Sequence, residues 1–313
     1  MRIVIALGGN ALLKRGQPLT AQAQTAAITE VSLLLANVVS ASHQLVVTHG
    51  NGPQVGLLAL QSAAGPAASM LPLDVLGAES EGWIGYAIEL ALRNALPEGA
   101  VVVTLLTQTL VDPQDEAFSH LTKPIGPAYD EASARRLAET NRWTVAVDGS
   151  FWRRVVASPK PIGIIELTSI KSLLDTGAIV ICGGGGGIPV CRDADKRLVG
   201  IEAVIDKDAT SGLLAEQVHA DMFIMLTDVP GVYVEYGARN AKVIAEASPK
   251  ALASMSTLFG TGSMGPKVSA ACRFVSNTGR LAAIGALGDL DQIIAGACGT
   301  IVAPGVGEMT FRS

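Results

Sequence analysis

The chain has 313 residues, which at roughly 150 residues per domain leaves room for one large or two modest domains. Hydrophobic residues make up 49% and charged residues 16%, enough apolar material for a large buried core; the aromatic share is only 4%, so that core is built from Val, Ile, Leu and Ala, which suit strands covered on both faces. A net charge of −5 without a basic stripe argues against nucleic acid as a partner, although a few well-placed lysines could still hold an anion.

In chain order, short apolar runs predict strands at Ile3–Leu7, Leu45–Thr48, Val101–Leu106, Ile179–Cys182, Met222–Leu226, Leu281–Ala286 and Thr300–Val302. Between most of them lie Ala/Leu-rich stretches with helical spacing, among them Thr25–Ser42, Glu81–Asn94, Ser169–Thr176 and Asp208–Ala220. This alternation predicts an α/β fold, with helices on both faces of a mostly parallel sheet. One segment breaks the pattern. Asp112–Pro161 carries Asp112-Pro113, Lys123-Pro124, Gly126-Pro127 and Ser158-Pro159-Lys160-Pro161, with short strand-like pieces at Trp143–Val147 and Arg154–Ala157. It reads as an excursion that leaves the sheet and returns, either a lid over a site or a surface decoration.

The N-terminal apolar run is too short for a signal-peptide core, and no stretch approaches a membrane span, so the chain reads as soluble and cytoplasmic. Cys182, Cys191, Cys272 and Cys298 form no CxxC pair, and no His/Cys cluster has zinc spacing. They read as buried or partly buried thiols in a reducing compartment.

Three predicted strands run into glycine-rich turns: Gly8-Gly9-Asn10, His49-Gly50-Asn51-Gly52, and the five glycines Gly183 to Gly187. Glycine lets backbone approach a ligand and present N–H groups to an anion, and ligands of open α/β sheets bind at the carboxyl ends of strands. The chain has no GxxxxGK[ST] phosphate loop and no Gly-x-Ser-x-Gly elbow, and within the five-glycine run Ile188 and Pro189 occupy the places where the last glycine of a GxGxxG would fall. Two lysines open helices: Lys207 in Asp206-Lys207-Asp208, and Lys267 in Gly262-Ser263-Met264-Gly265-Pro266-Lys267, where Pro266 suits the first helical position. A cation at a helix N-terminus is mildly disfavoured unless an anion sits between it and the free N–H groups. Two such lysines suggest a polyphosphate site, with Asp208 able to hold both by charge-assisted hydrogen bonds.

The strings ALGGNALL (Ala6–Leu13), THGNGPQVG (Thr48–Gly56), TKPIGP (Thr122–Pro127), ICGGGGGIPV (Ile181–Val190), AVIDKD (Ala203–Asp208), LTDVPGVY (Leu226–Tyr233) and GSMGPKVSAA (Gly262–Ala271) resemble the carbamate kinase family of the amino-acid kinase superfamily, in the family's order and over nearly the whole chain. The resemblance implies a three-layer α/β/α sandwich, one domain over 1–313, with a protruding lid at about 112–161. It implies a carbamoyl-phosphate-binding half (1–177), a nucleotide-binding half (178–313) and a homodimer. It places Gly8, Gly9, Asn10, Gly50, Asn51 and Gly52 on carbamoyl phosphate, Lys207, Lys267 and the lid residue Lys123 on the transferred phosphate, and Asp208 among the lysines as their organiser. Gly184, Gly185, Thr227, Asp228, Tyr233, Gly262, Met264 and Pro266 fall on the nucleotide side. The family uses ADP/ATP with Mg2+ and no metal held by the protein alone. The chain departs from the usual family sequence at Leu121, at Ser150 (usually arginine) and at Ala157 (usually proline).

The reaction this implies is reversible phosphoryl transfer between carbamoyl phosphate and ADP, giving ATP and carbamate. Carbamate is already an anion and needs no base, so His49 reads as a structural histidine rather than a proton acceptor. Trp143, Trp152 and Tyr129 read as lid packing, and Arg153 and Arg154 as either phosphate contacts or salt-bridge partners. Two other readings remain open at this level: a kinase of the same superfamily acting on another small acid, and a sensor that binds nucleotide or carbamoyl phosphate with little turnover.

Overall fold

The computed structural model describes residues 1–13, 16–66, 70–259 and 264–312. Its main sheet follows from central strands whose inner residues are mostly apolar. In Arg2–Leu7, Ile3, Ile5 and Leu7 enter one core while Val4 and Ala6 enter another. Leu45 and Val47 against Val46, and Met222, Ile224 and Leu226 against Phe223 and Met225, divide in the same way. Successive residues of a strand point to opposite faces, so each strand fills both cores at once.

Helices close the two faces. Ala21–Ser40 contributes Ile28, Val31, Leu35 and Val38 to the first core, and Leu73–Ala95 contributes Ile84, Ile88 and Leu92. Leu167–Asp175, Lys207–Gln217 and Met264–Thr278 cover the second with Ile170, Leu174, Leu214, Ala215, Ala271, Phe274 and Val275. The result is the expected α/β/α sandwich.

Strands Val102–Thr104, Ile179–Ile181, Gln44–His49, Arg2–Leu7, Met222–Thr227 and Leu281–Ala286 lie side by side in that order, all parallel. Thr300–Val302 then runs antiparallel to Leu281–Ala286, and Lys242–Ala247, Tyr233–Val234 and Thr310–Phe311 complete that edge. The seven predicted strands are present within a residue or two at each end. The helices differ more. Leu73–Ala95 starts eight residues before the predicted Glu81, because burial of Leu73 and Leu76 overrides the poor helix propensity of Gly77. Pro266 is not the first helical residue, since the helix is already under way at Met264; a proline in the first turn removes no intrahelical hydrogen bond.

The expectation that no stretch approaches a membrane span needs correcting. Helix Ala21–Ser40 reaches the necessary length and mean hydropathy. Its apolar residues Ile28, Val31 and Leu35 are spent on the core beneath the sheet.

The excursion leaves and re-enters the body at one place. Strands Gln108–Val111 and Pro161–Ile164 pair antiparallel with Val111 opposite Pro161, so the chain leaves and returns side by side. Between them Lys123–Tyr129, Phe151–Val156 and Thr144–Asp148 form their own antiparallel sheet, with helix Glu131–Asn141 alongside. Ile125 and Val156 seat this subdomain on Val55, Ala59, Leu73 and Leu76 of the body. A Cβ on Gly56 would lie 2.6 Å from the Gly126 Cα, so body helix Gly52–Ala64 and the protruding strand meet backbone to backbone. Ser150 lies at an exposed hairpin tip, and the Ala157 carbonyl accepts from Val204 N–H at 2.9 Å.

Candidate active site

The carboxyl ends of the central strands gather the glycine loops. Gly8 N–H donates to Leu226 O and Gly50 N–H to Leu7 O, both at 3.1 Å. These bonds carry the sheet ladder past its strand ends and set Gly8-Gly9-Asn10 beside Gly50-Asn51-Gly52. Gly9 and Asn10 open the short helix Gly9–Leu12, while Asn51 stands at the N-cap of Gly52–Ala64. The methylenes of Lys207 pass over Gly50: a Cβ there would be 3.4 Å from Lys207 Cδ.

Lys207 begins helix Lys207–Gln217, and the residue before it organises the corner. Asp206 Oδ1 caps the helix by accepting from the N–H groups of Asp208 (3.0 Å) and Ala209 (3.2 Å), and its Oδ2 accepts from Lys123 Nζ of the protruding subdomain at 2.7 Å. Asp208, only 4% exposed, accepts from Lys207 Nζ on Oδ1 at 2.6 Å and from Lys267 Nζ on Oδ2 at 3.1 Å. Among these five side chains three ammonium groups thus share two carboxylates, an excess of one positive charge within the cluster. Burial alone would raise the Asp208 pKa, but Lys207 and Lys267 overcome it and hold the carboxyl below its ordinary value. Burial, then repulsion from Lys207, lowers the Lys267 pKa, and Asp208 recovers part of it.

The structure therefore brings together the four residues expected at the transferred phosphate. The part played by Asp206 does not emerge from the sequence reading, although an aspartate just before a helix is a standard capping signal. On the neighbouring strand, Thr227 ends Met222–Thr227 and its hydroxyl donates to Asp228 Oδ1 at 3.2 Å. Tyr233 opens the edge strand Tyr233–Val234, its ring edge-on to Tyr236 with centroids 5.4 Å apart. Met264 and Pro266 lie in the first turn of the helix that carries Lys267, and Gly262 lies outside the described residues.

The five-glycine turn is packed by the protein itself. Gly183 N–H donates to Thr107 Oγ1 (2.9 Å) and Gly184 N–H to Glu81 Oε1 (2.8 Å). A Cβ on Gly184 would strike the His49 ring and one on Gly185 the Asn51 carboxamide. The N–H of Gly184, expected on the nucleotide, is taken by Glu81. Glu81 is 1% exposed and also accepts from Thr107 N–H at 3.1 Å; burial outweighs these hydrogen bonds and raises its pKa to about 8. His49 is fully buried, with Nδ1 donating to Gly50 O at 3.0 Å, and burial lowers its pKa to about 4. The ring is neutral near pH 7.

Arg153 and Arg154 find protein partners. Arg153 donates to Gly126 O and pairs with Asp148, while Arg154 pairs with Glu202 and stacks 4.7 Å from the Trp143 ring centroid. Of the four free cysteines, Cys182 and Cys191 are buried and the others partly so.

Comparison with known proteins identifies the family. Residues 1–285 match the amino acid kinase family. A carbamate kinase of Rhizobium meliloti is 50% identical over 314 aligned residues, covering 100% of this chain and 96% of that protein, and one of Haemophilus influenzae is 51% identical over 300, covering 96% of each. The structure of the Giardia lamblia carbamate kinase bound to AMP-PNP superposes with a TM-score of 0.88 at 38% identity, over 96% of this chain and 98% of that one. The chain therefore belongs to the amino acid kinase family and, within it, to the carbamate kinases.

Proposed function

We propose that this chain catalyses reversible phosphoryl transfer between carbamoyl phosphate and ADP, yielding ATP and carbamate, which breaks down to ammonia and carbon dioxide. The observation that carries the reading is the surplus of positive charge where Lys123, Lys207 and Lys267 surround Asp206 and Asp208, beside the Gly50–Gly52 loop. Phosphoryl transfer requires positioning and compensation of charge on the moving group, which preorganised ammonium groups and backbone N–H groups supply. No base is needed for carbamate, and the neutral His49 ring, turned onto Gly50 O, is not placed as one.

In this reading residues 1–177 bind carbamoyl phosphate through Gly8, Gly9, Asn10, Gly50, Asn51 and Gly52. Residues 178–313 bind the nucleotide through Thr227, Asp228, Tyr233, Met264 and Pro266, with Gly262 on the adjoining loop. Gly184 and Gly185 support this arrangement from behind, as the packed joint between the two halves. The subdomain at about 112–161 acts as a lid that delivers Lys123. Mg2+ enters on the nucleotide phosphates, where it neutralises charge and orients the transferred group. No protein cage is proposed for it, since the described residues hold no cluster of three or more His, Cys, Asp or Glu side chains. We take the working form to be a cytoplasmic homodimer, to be read from its mass in solution.

Purified protein should form ATP from Mg-ADP and carbamoyl phosphate, and do so faster than with acetyl phosphate. Folded protein that makes no more ATP than an enzyme-free control would overturn the catalytic reading in favour of a binding role.

A further inference from the structure

Asn51 occupies an N-cap but does not cap. Asparagine at this position ordinarily accepts from an N–H of the first turn. Here no such bond forms, and the carboxamide donates instead through Nδ2 to Ser80 Oγ, 2.8 Å away in helix Leu73–Ala95. Ser80 is fully buried, and its hydroxyl proton goes to Gly77 O at 2.8 Å. With its proton so used, Ser80 Oγ can only accept, and only the amide nitrogen of Asn51 can face it. The chain of bonds from Asn51 through Ser80 to Gly77 therefore fixes which way the carboxamide is turned, with Oδ1 directed away from Ser80. Gly185 backs the other side of the amide closely enough that a Cβ there would strike it, and Gly184 is in turn fastened by Glu81, the residue after Ser80.

We propose that Ser80 is a positioning residue that sets substrate specificity, by holding Asn51 as a hydrogen-bond acceptor for the amino group of carbamoyl phosphate. This rests on the assignment of Asn51 to the carbamoyl phosphate loop. A carbamoyl group differs from an acetyl group in offering N–H donors where acetyl has a methyl. A carboxamide held with its oxygen forward rewards the donor, and one free to turn over presents N–H as readily as oxygen and does not. Sites built to hydrogen-bond a substrate N–H discriminate strongly against the analogue lacking it.

The test compares Ser80→Ala, Asn51→Ala and the double variant with carbamoyl phosphate and with acetyl phosphate. Ser80→Ala should lower kcat/KM for carbamoyl phosphate about tenfold, the loss of roughly one oriented hydrogen bond. It should leave acetyl phosphate within about twofold and the KM for ADP unchanged, so that the preference contracts. On the Asn51→Ala background it should add nothing, because residues acting through one another are non-additive. Ser80→Cys, close in size with a weaker sulfur acceptor, guards against a folding artefact and should lose preference to an intermediate extent. Equal losses with both phosphates, or additive effects in the double variant, would mean that Ser80 merely supports the fold. If Asn51→Ala loses preference and Ser80→Ala keeps it, the proposal alone fails. If Asn51→Ala keeps full preference, the assignment of Asn51 fails and the proposal with it.

Discussion

Asp208 and Glu81 are both buried carboxylates, 4% and 1% exposed, yet their pKa values move in opposite directions. Asp208 is enclosed with two ammonium groups and stays ionised. Glu81 is enclosed with two backbone N–H donors, which do not make up for the lost water, and its pKa rises to about 8. Burial is common to both; the cations decide the outcome. The corner built for charge is therefore the lysine corner, and the glycine turn behind it is held by a carboxyl group that is mostly protonated at neutral pH.

The sharpest way to break this comparison is to remove a cation from the ionised side. Lys267→Ala should lower kcat by about 10²–10³, the usual cost of losing one preorganised charge partner, with a smaller change in the KM for carbamoyl phosphate. The melting temperature should hold level or rise, because the fold disfavours the Lys267 charge and Asp208 keeps Lys207. Near-normal turnover would take Lys267 out of the site.

A smaller effect tests the protonated side. With a folded pKa raised to about 8 from an ordinary 4.5, Glu81 contributes stability that is complete below about pH 4.5 and is lost as pH rises to about 8. His49 has the opposite sign, its contribution falling away as pH drops from about 6.5 toward 4. Glu81→Gln should thus raise the melting temperature at pH 8.5 relative to the parent, with no gain at pH 5. A variant whose melting curve keeps the parental pH slope would show that Glu81 does not carry the shift.

The smallest expected effect concerns the more exposed pair Lys123–Asp206, whose side chains are 32% and 26% accessible. A pair this open is worth at most about 1 kcal/mol, little enough for a phosphate to take the lysine over. Asp206→Asn, which can still cap the helix through its amide oxygen, should speed hydrogen exchange across residues 112–161 a few-fold in the free protein. Bound substrates should slow that exchange in both forms. Unchanged exchange would count against Lys123–Asp206 as the tether.

Much of this was legible in the sequence, and for physical reasons. Apolar strands announce a sheet covered on both faces, and two lysines at helix starts, Lys207 and Lys267, suggest the shared corner at which both meet Asp208. Val111 and Pro161 face each other where the chain leaves and re-enters the body, next to the Asp112-Pro113 and Ser158-Pro159-Lys160-Pro161 punctuation. What escaped depends on long-range approach. The five glycines read as a ligand cradle, but glycine says only that something comes close; here it is His49 and Asn51 of this same chain. Glu81 looks like an ordinary polar helix residue, and neither its burial nor its grip on Gly184, 103 positions later, leaves a local signal. Helix Glu131–Asn141 inside the excursion has a single buried residue, Ala134, and so almost no apolar face by which to recognise it.

The shared doorway at Val111 and Pro161 limits how the protruding subdomain can be displaced. Two connections crossing side by side within one antiparallel pair behave as a strip hinge: rotation about the line of the strip is soft, whereas sliding or twisting would tear the ladder between Gln108–Val111 and Pro161–Ile164. A displacement hinged there would carry Ile125 and Val156 off their shared apolar seat and Lys123 off Asp206 together.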